Sequence, residues 1–455
     1  MLNRAEILKQ QFNQSLGLPW QTILPASRIE EILAQENVEY RNSVYTPVVT
    51  LWALMAQVLD PDKSLRNAVK RVITWVGVAG GECPSSDTGA YSKARQRFNE
   101  TVLQRLIPET AESLEQTVPD AQQWCGRRVR VQDGTTVLMS DTPANQGEYP
   151  QHGNQKAGCG FAIAKLVVVF SLLTGAVVAA CVASFKTSEI ELSRLLYESL
   201  EPMDVALGDQ AYGTFVDLAM VQKQGADGVF RKHHARNTDF RRGKKLGIGD
   251  HAVVWHKPRK RPTHMSIEEF DLLPDTLEVR EVCLRLCRKG FRDQRIIIVT
   301  TLLDPKRYSP EQLTVLYGLR WQAAEVNLRH LKTTLGMEML TAKTPEMVRK
   351  DLWAHLLAYN LLRTVMVQSA QSFKQDPARL SLQGTRQQFN QTIALLAVTA
   401  KKMRQTLYQI LLKVVASDLL PSRPFRYEPR VVKRRPKPFP RMNKPRYVLK
   451  AMLVN

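Results

Sequence analysis

Two acidic residues stand out by where they fall. Arg128-Val-Arg-Val-Gln-Asp133 alternates as a strand does and ends on an acid followed by Gly134, and Asp204-Val-Ala-Leu-Gly-Asp209 is a second short apolar run ending on an acid before a turn. A strand-end Asp is commonly a turn former. Two of them at one sheet edge are also the hard oxygen donors that magnesium takes. A third acid, Glu325, lies in a helical pattern with Arg329 at i+4 and Lys332 at i+7, so one face presents a carboxylate beside two cations. Such a face suits a metal ligand flanked by phosphate clamps, Arg being favoured for bidentate contact; the plainer alternative is a surface salt bridge between Glu325 and Arg329. Carboxylates that converge on two divalent ions cut phosphodiester bonds: one ion activates the attacking water or 3′-hydroxyl and the other stabilises the leaving oxygen.

The bulk composition points toward the same partner. The 455 residues carry 64 Lys and Arg against 43 Asp and Glu, a formal charge of +21. An excess of that size speaks to a polyanion, nucleic acid being the usual one. Six cysteines are scattered, only Cys283 and Cys287 are close, and no second pair completes a zinc set. A reduced, cytoplasmic and nucleoid-associated setting is therefore expected, and MLNRAEILKQQF lacks the apolar core of a signal peptide. No Gly-rich loop with Lys and Ser/Thr is present, which argues against an ATP-driven mechanism. Adjacent His233 and His234 point to opposite faces if they lie in a strand and lack partner ligands, so DNA-facing basic residues are the better reading of this stretch.

The elements that must position these residues are legible in outline. Residues 1–120 read as helical, with apolar positions at helical spacing in Ile29–Leu33, Val48–Leu59 and Val102–Leu106, and are taken as an N-terminal DNA-binding region. Residues 121–230 run strand, hairpin, helix, strand, the order of a mixed α/β layer fold. Leu166–Phe185 is uncharged over a bilayer's length, but it is β-branched and broken at Thr174-Gly175, so it is read as a core hairpin rather than a membrane span. Residues 231–304 are strand-rich and basic, with alternating runs at Ala252–Trp255, Leu277–Leu286 and Arg295–Leu302 and a basic Asp239-Phe-Arg241-Arg242-Gly243-Lys-Lys whose arginines are taken as DNA contacts. Helix resumes at Ser309-Pro310-Glu311 and runs on in long amphipathic stretches, over 305–370 and again in the 371–455 region. Between Arg423 and Lys450 stand eleven basic residues and one acid, Glu428, a segment expected to stay extended and to bind polyanion.

Three blocks carry a family likeness. Val131-Gln-Asp133-Gly-Thr-Thr-Val137 with Asp141-Thr-Pro, Leu207-Gly-Asp209-Gln-Ala-Tyr212, and Tyr317-Gly-Leu-Arg320-Trp321 through Glu325 to Lys332 resemble, in order, the catalytic blocks of insertion-sequence-4 family transposases. The resemblance runs from about Arg41 to the basic tail, and its third block is the most specific. It implies a ribonuclease H-like core interrupted by a β-strand insertion, with helical regions at both ends. It implies Asp133, Asp209 and Glu325 as ligands of two Mg²⁺ (or Mn²⁺) ions. It further implies nicking at terminal inverted repeats and strand transfer into target DNA by a homodimer without a membrane. Tyr317, Arg320 and Trp321 match positions near the transposon end; a base can stack on Trp321 or Trp255, or either ring can be core.

Two departures from the family pattern matter. Gln210 stands where the family has Arg. Four residues rather than three separate Arg320 from Glu325, which in an unbroken α-helix rotates the two by about 100° relative to the usual arrangement. Either a π-bulge near Ala323 absorbs the extra residue, or the chain is a catalytically impaired relative that only binds DNA.

Overall fold

The computed structural model describes residues 23–38, 43–286, 294–421 and 440–454, with a few positions before residue 23. Among the described residues, helices α1 (Ala26–Gln35), α2 (Pro47–Leu59), α3 (Leu65–Val78), α4 (Gly89–Arg97) and α5 (Glu100–Glu115) precede the sheet. The sheet begins with β1 (Val129–Met139), and after the short α6 (Pro143–Glu148) come β2 (Ala162–Ser171) and β3 (Val177–Ser184). Next are α7 (Glu189–Leu196), β4 (Val205–Gly208), α8 (Phe215–Lys223) and β5 (Asp227–Arg231). Strands β6 (Lys244–Gly247), β7 (Asp250–His256), β8 (Thr276–Leu286) and β9 (Gln294–Thr300) follow, with α9 (Ile267–Asp271) between β7 and β8. The chain then forms α10 (Pro310–Arg329), β10 (Met339–Leu340), α11 (Pro345–Phe373), α12 (Leu382–Val398), α13 (Lys401–Ser417) and α14 (Arg446–Val454).

One mixed sheet of ten strands runs in the order β3-β2-β1-β4-β5-β9-β8-β7-β6, with β10 alongside β1. The first three strands are antiparallel, β1, β4 and β5 are parallel, and β9 returns antiparallel to β5. The basic segment thus extends the same sheet, and its three alternating runs are β7, β8 and β9.

Leu166–Phe185 folds as the expected hairpin. Gly175 sits at φ +71°, a left-handed conformation, and any Cβ there would meet the Arg363 guanidinium at 2.7 Å. The prediction of two buried strands holds for β2; β3, at the sheet edge, is half-buried over most of its length. No helix among the described residues is long and apolar enough to cross a membrane.

The helical regions differ from expectation in how they divide. The stretch after Ser309 is two helices, because the chain reverses at Gly336 (φ +66°), pairs β10 parallel to β1, and restarts at Thr344-Pro345, where the Thr hydroxyl accepts from Met347 N–H. The next long stretch also divides, at Thr399-Ala400, into α12 and α13. Of the basic tail, residues 422–439 lie outside the described residues; the part expected to be extended instead enters α14 at Arg446. Cys287 also lies outside them, and the five described cysteines are free thiols.

The 29-residue α11 is buried nearly all round, and helices α2, α5, α12 and α13 share one apolar core with it and with one face of β1 and β2. Its Asn360 side chain accepts from Val177 N–H (2.7 Å) and donates to the carbonyls of Val177 (2.9 Å) and Ile107 (3.1 Å), so one amide joins α11 to the β3 edge and to α5. Buried backbone groups left unpaired cost about 1–3 kcal/mol each. Asn360→Ala is expected to destabilise the protein by roughly 3 kcal/mol, read as a lower urea midpoint at unchanged slope; a shift of a few tenths would show that this amide is not holding the layers together.

Candidate active site

The parallel ladder between β1 and β4 has its last pair at Val131 and Leu207. Asp133 lies two residues beyond on one strand and Asp209 two residues beyond on the other, where the strands part. Each carboxylate is fixed by its own backbone: Asp133 Oδ1 accepts from Gly134 N–H (2.9 Å), and Asp209 Oδ1 accepts from Ala211 N–H (2.7 Å), capping the 3₁₀ turn Gln210–Tyr212. Burial pushes the Asp133 carboxyl up to about 6, with the nearby charges of Asp209 and Glu189 adding to the rise and Gly134 N–H and the Arg320 guanidinium opposing it. The Tyr212 hydroxyl is driven far above its usual range by burial and then by Glu189, Asp133 and Asp209. These groups therefore form one electrostatic neighbourhood.

Helix α10 covers it. Ser309 caps the helix in a reciprocal box with Gln312, Pro310 occupies the first turn, and Leu313, Leu316, Tyr317, Arg320 and Ala324 form its buried stripe at three- and four-residue steps. Ala324 packs with Val131 and Leu207, the residues that end the ladder. Arg320 is 7% exposed, lies 5.6 Å from the Tyr317 ring centre and 5.2 Å from that of Trp321, and its Nε has no hydrogen-bond partner. Burial raises the Tyr317 hydroxyl as well, and Asp209 contributes to the rise. Tyr317 and Arg320 thus face the two aspartates.

Among the described residues, Glu325 does not complete a metal-holding group with them. The helix stays α-helical through Arg329, and the π-helical turn falls at His330–Thr334, after the glutamate rather than near Ala323 as the sequence suggested. Five α-helical steps leave Arg320 and Glu325 about 140° apart, so the arginine is buried and the glutamate exposed. Arg329 is also exposed, Lys332 is half-buried within the π turn, and Glu325 makes no ion pair with Arg329 among the described residues.

The remaining candidate contacts divide by exposure. Arg241 and Arg242 stand on the loop before β6, 91% and 85% exposed at the side chain; Arg241 holds Asp239 by two contacts of 2.9 and 3.2 Å, and Arg242 approaches it at 3.5 Å. Trp321 is half-buried. Trp255 is 6% exposed, donates to Glu281 (3.1 Å) and is covered by Arg236 at 4.0 Å, so its ring is a core element and is not offered to a base. His233 and His234 follow the end of β5 rather than lying in it, and their rings stack on each other at 4.3 Å. Sequence reasoning passed over Glu189. It is the first residue of α7, which Ser188 caps by accepting from Glu191 N–H, and nothing local in the sequence reveals that this residue reaches the site.

Comparison with known proteins matches residues 124–361 to the transposase DDE domain. The chain belongs to that family. Over 394 residues it is 27% identical to the transposase InsG for insertion sequence element IS4 of Escherichia coli (strain K12), which covers 86% of each protein. Over a 70-residue stretch it is 36% identical to the transposase for insertion sequence element IS421 of Escherichia coli, covering 15% of this chain and 19% of that one. A piggyBac transposase synaptic complex with hairpin DNA is similar at TM-score 0.44 and 8% identity over 88% of this chain and 85% of that one, too slight a likeness to carry an argument. The protein is thus a DNA transposase of the insertion-sequence-4 type, an enzyme of DNA cleavage and strand transfer.

In this transposase the folded state binds the Asp133 proton more tightly than the unfolded chain does. That contribution to stability is fully present below about pH 4, and is lost as the pH rises through about 6. Asp133→Asn keeps the shape without the ionisation. In EDTA it is expected to be more stable than the parent at pH 7.5 by on the order of 2–3 kcal/mol and equal to it at pH 4. Melting curves at the two pH values check this, and an equal gap at both would remove the burial of charge as its cause.

Proposed function

We propose that this transposase cuts at the terminal inverted repeats of its element and joins the freed ends to target DNA, working as a homodimer, with Asp133, Asp209 and Glu325 as its catalytic carboxylates. The observation that carries the reading is the pair of aspartates at the parting of β1 and β4 with buried Arg320 beside them. We read β3-β2-β1-β4-β5 with α10 as a ribonuclease H-like core and β6–β9 as an insertion within it. The N-terminal helices (1–120) and the C-terminal helices with the basic tail (371–455) flank it as DNA-contacting regions.

The donor set fits a magnesium or manganese ion in part. Two carboxylates near enough that the charge of Asp209 raises the proton affinity of Asp133, with the Arg320 guanidinium opposing it, are short of positive charge, and phosphate oxygens and water commonly complete a magnesium shell. Among the described residues no three His, Cys, Asp or Glu side chains form a group that could hold a metal ion. Asp133, Asp209 and Glu325 are the residues that would hold two such ions, which would supply activation of the attacking oxygen and stabilisation of the leaving one. The chain's own groups do the positioning. Arg320, desolvated between Tyr317 and Trp321, offers its guanidinium to a phosphate entering beside Asp133. Arg329 and Lys332 meet the backbone farther along the helix, and Arg241 and Arg242 meet it from the β6 side. Cytoplasmic, nucleoid-associated action follows from such a substrate.

The exposed Glu325 supports a second reading, a relative that binds transposon ends and cleaves poorly. Two measurements separate them. Nicking of end DNA with Mg²⁺ or Mn²⁺ is expected to disappear in Asp133→Ala and in Asp209→Ala while gel-shift binding persists; surviving cleavage would discard the metal assignment. Deleting Ala323 moves the glutamate to i+4 from Arg320, onto the buried stripe. Under the second reading this deletion raises nicking at least tenfold, whereas under the first the present spacing is the working one and the deletion abolishes nicking.

A further inference from the structure

We infer that Glu189 and Tyr212 form a clamp behind the two aspartates, and that Glu189 is thereby a positioning residue that sets the spacing of Asp133 and Asp209. The inference rests on reading those aspartates as the metal-binding pair.

On the side facing β4, β1 is paired at Val129–Val131 and then not again until β10 joins it at Leu138. Asp133 lies in the gap. No ladder hydrogen bond fixes its distance from Asp209, and yet two carboxylates that share ions need a fixed separation. Glu189, the first residue of α7, spans that gap from behind. Its carboxylate lies against the backbone of Gly134, where an added Cβ would be 2.6 Å from Oε2 and 2.7 Å from Oε1. The same Oε1 accepts a 2.5 Å hydrogen bond from the Tyr212 hydroxyl. The fully buried Tyr212 ring in turn lies on Gly208, where a Cβ would be 2.7 Å from Cδ2. The clamp therefore seats on one glycine of each strand. Gly134 directly follows Asp133, and Gly208 directly precedes Asp209.

Successive residues of a strand point to opposite faces. Glycine at 134 and 208 thus opens the back face to the clamp while the neighbouring aspartates face α10. Helix α7 is anchored through Leu192 and Leu196 on Val167 and Val169 of β2, so the clamp ties the site to the antiparallel half of the sheet.

The test is Mn²⁺ titration calorimetry on the full chain after EDTA treatment, with thermal melting in EDTA as the control for folding. Groups that orient metal ligands from behind typically change affinity 10–100-fold when replaced. Tyr212→Phe and Glu189→Gln are each expected to weaken Mn²⁺ binding at least tenfold while melting within a few degrees of the parent. The double variant is expected to be no weaker than the worse single one, since both act on one hydrogen bond, Tyr212→Phe by removing the donor and Glu189→Gln by replacing a charged acceptor with a weaker neutral one. Gly134→Ala, which displaces the carboxylate, should behave like Glu189→Gln. If Glu189→Gln does not fold, Tyr212→Phe, which keeps the ring, decides alone. Parent-like Mn²⁺ affinity in Tyr212→Phe, or losses that add in the double variant, would overturn the clamp, provided that Asp133→Ala abolishes binding. Unchanged binding in Asp133→Ala would instead overturn the metal reading and the clamp with it.

Discussion

The register of β1 against β4 is the constraint on which the rest of the site depends. It is locked at the start of the ladder by Asp204, a fully buried carboxylate that accepts from Arg128 Nε (2.9 Å) and Arg130 Nε (3.2 Å). Arg130 is itself buried and held on its other side by Glu115 of α5 at 2.5 Å. Buried ion pairs are poor sources of net stability, but breaking one by removing a partner is costly, and they specify geometry. A slip of one residue would send every side chain of β1 to the other face. Asp133 would then meet α7 instead of α10, and Gly134 would lie under the helix that now covers the aspartates.

Helix α10 shows how a one-residue change in spacing is distributed by packing. Its stripe from Leu313 to Ala324 is tied to the ends of β1 and β4, and Leu331 and Leu335 are tied to the core around α11. Both anchors are buried and, Arg320 apart, largely apolar, so neither rotates cheaply. The wider π turn at His330–Thr334 lies between them and reconciles their phases. Glu325 stands in the stretch between the two anchors and so takes whatever orientation they leave. Arg320, on the first anchor, keeps its place beside Asp133 at the cost of a desolvated guanidinium.

The β6–β9 segment combines a sealed interior with a charged rim. Arg280, fully buried, holds Asp250 by two contacts of 2.8 and 2.5 Å and ties β7 to β8. Lys232 and Trp255 both donate to Glu281, so Asp250 and Glu281 are satisfied inside. The exposed cations Arg241, Arg242, Lys244 and Lys245 stand on the loop and edge strand that end the sheet. Charges along an exposed edge strand also discourage pairing with another chain.

The sequence by itself determined the strand start before Asp133, the short strand before Asp209, the hairpin around Gly175, the three runs β7 to β9 and the Ser309 helix start, because each is written in local alternation, turn chemistry or capping; it placed the end of β1 at Asp133, whereas pairing with β2 carries that strand on through Met139. The blocks around both aspartates and Tyr317–Lys332 sufficed for the family. Three things were decided only by tertiary structure. Glu189 reaches the site because α7 docks on β2, more than fifty residues from the aspartate it stands behind. Trp255 became core because Glu281 and Arg236, distant in sequence, enclose it. The phase of Glu325 follows from two anchors that local helical spacing cannot see. Local sequence sets backbone preference residue by residue, whereas which face a side chain finally shows depends on burial shared among segments that meet only on folding.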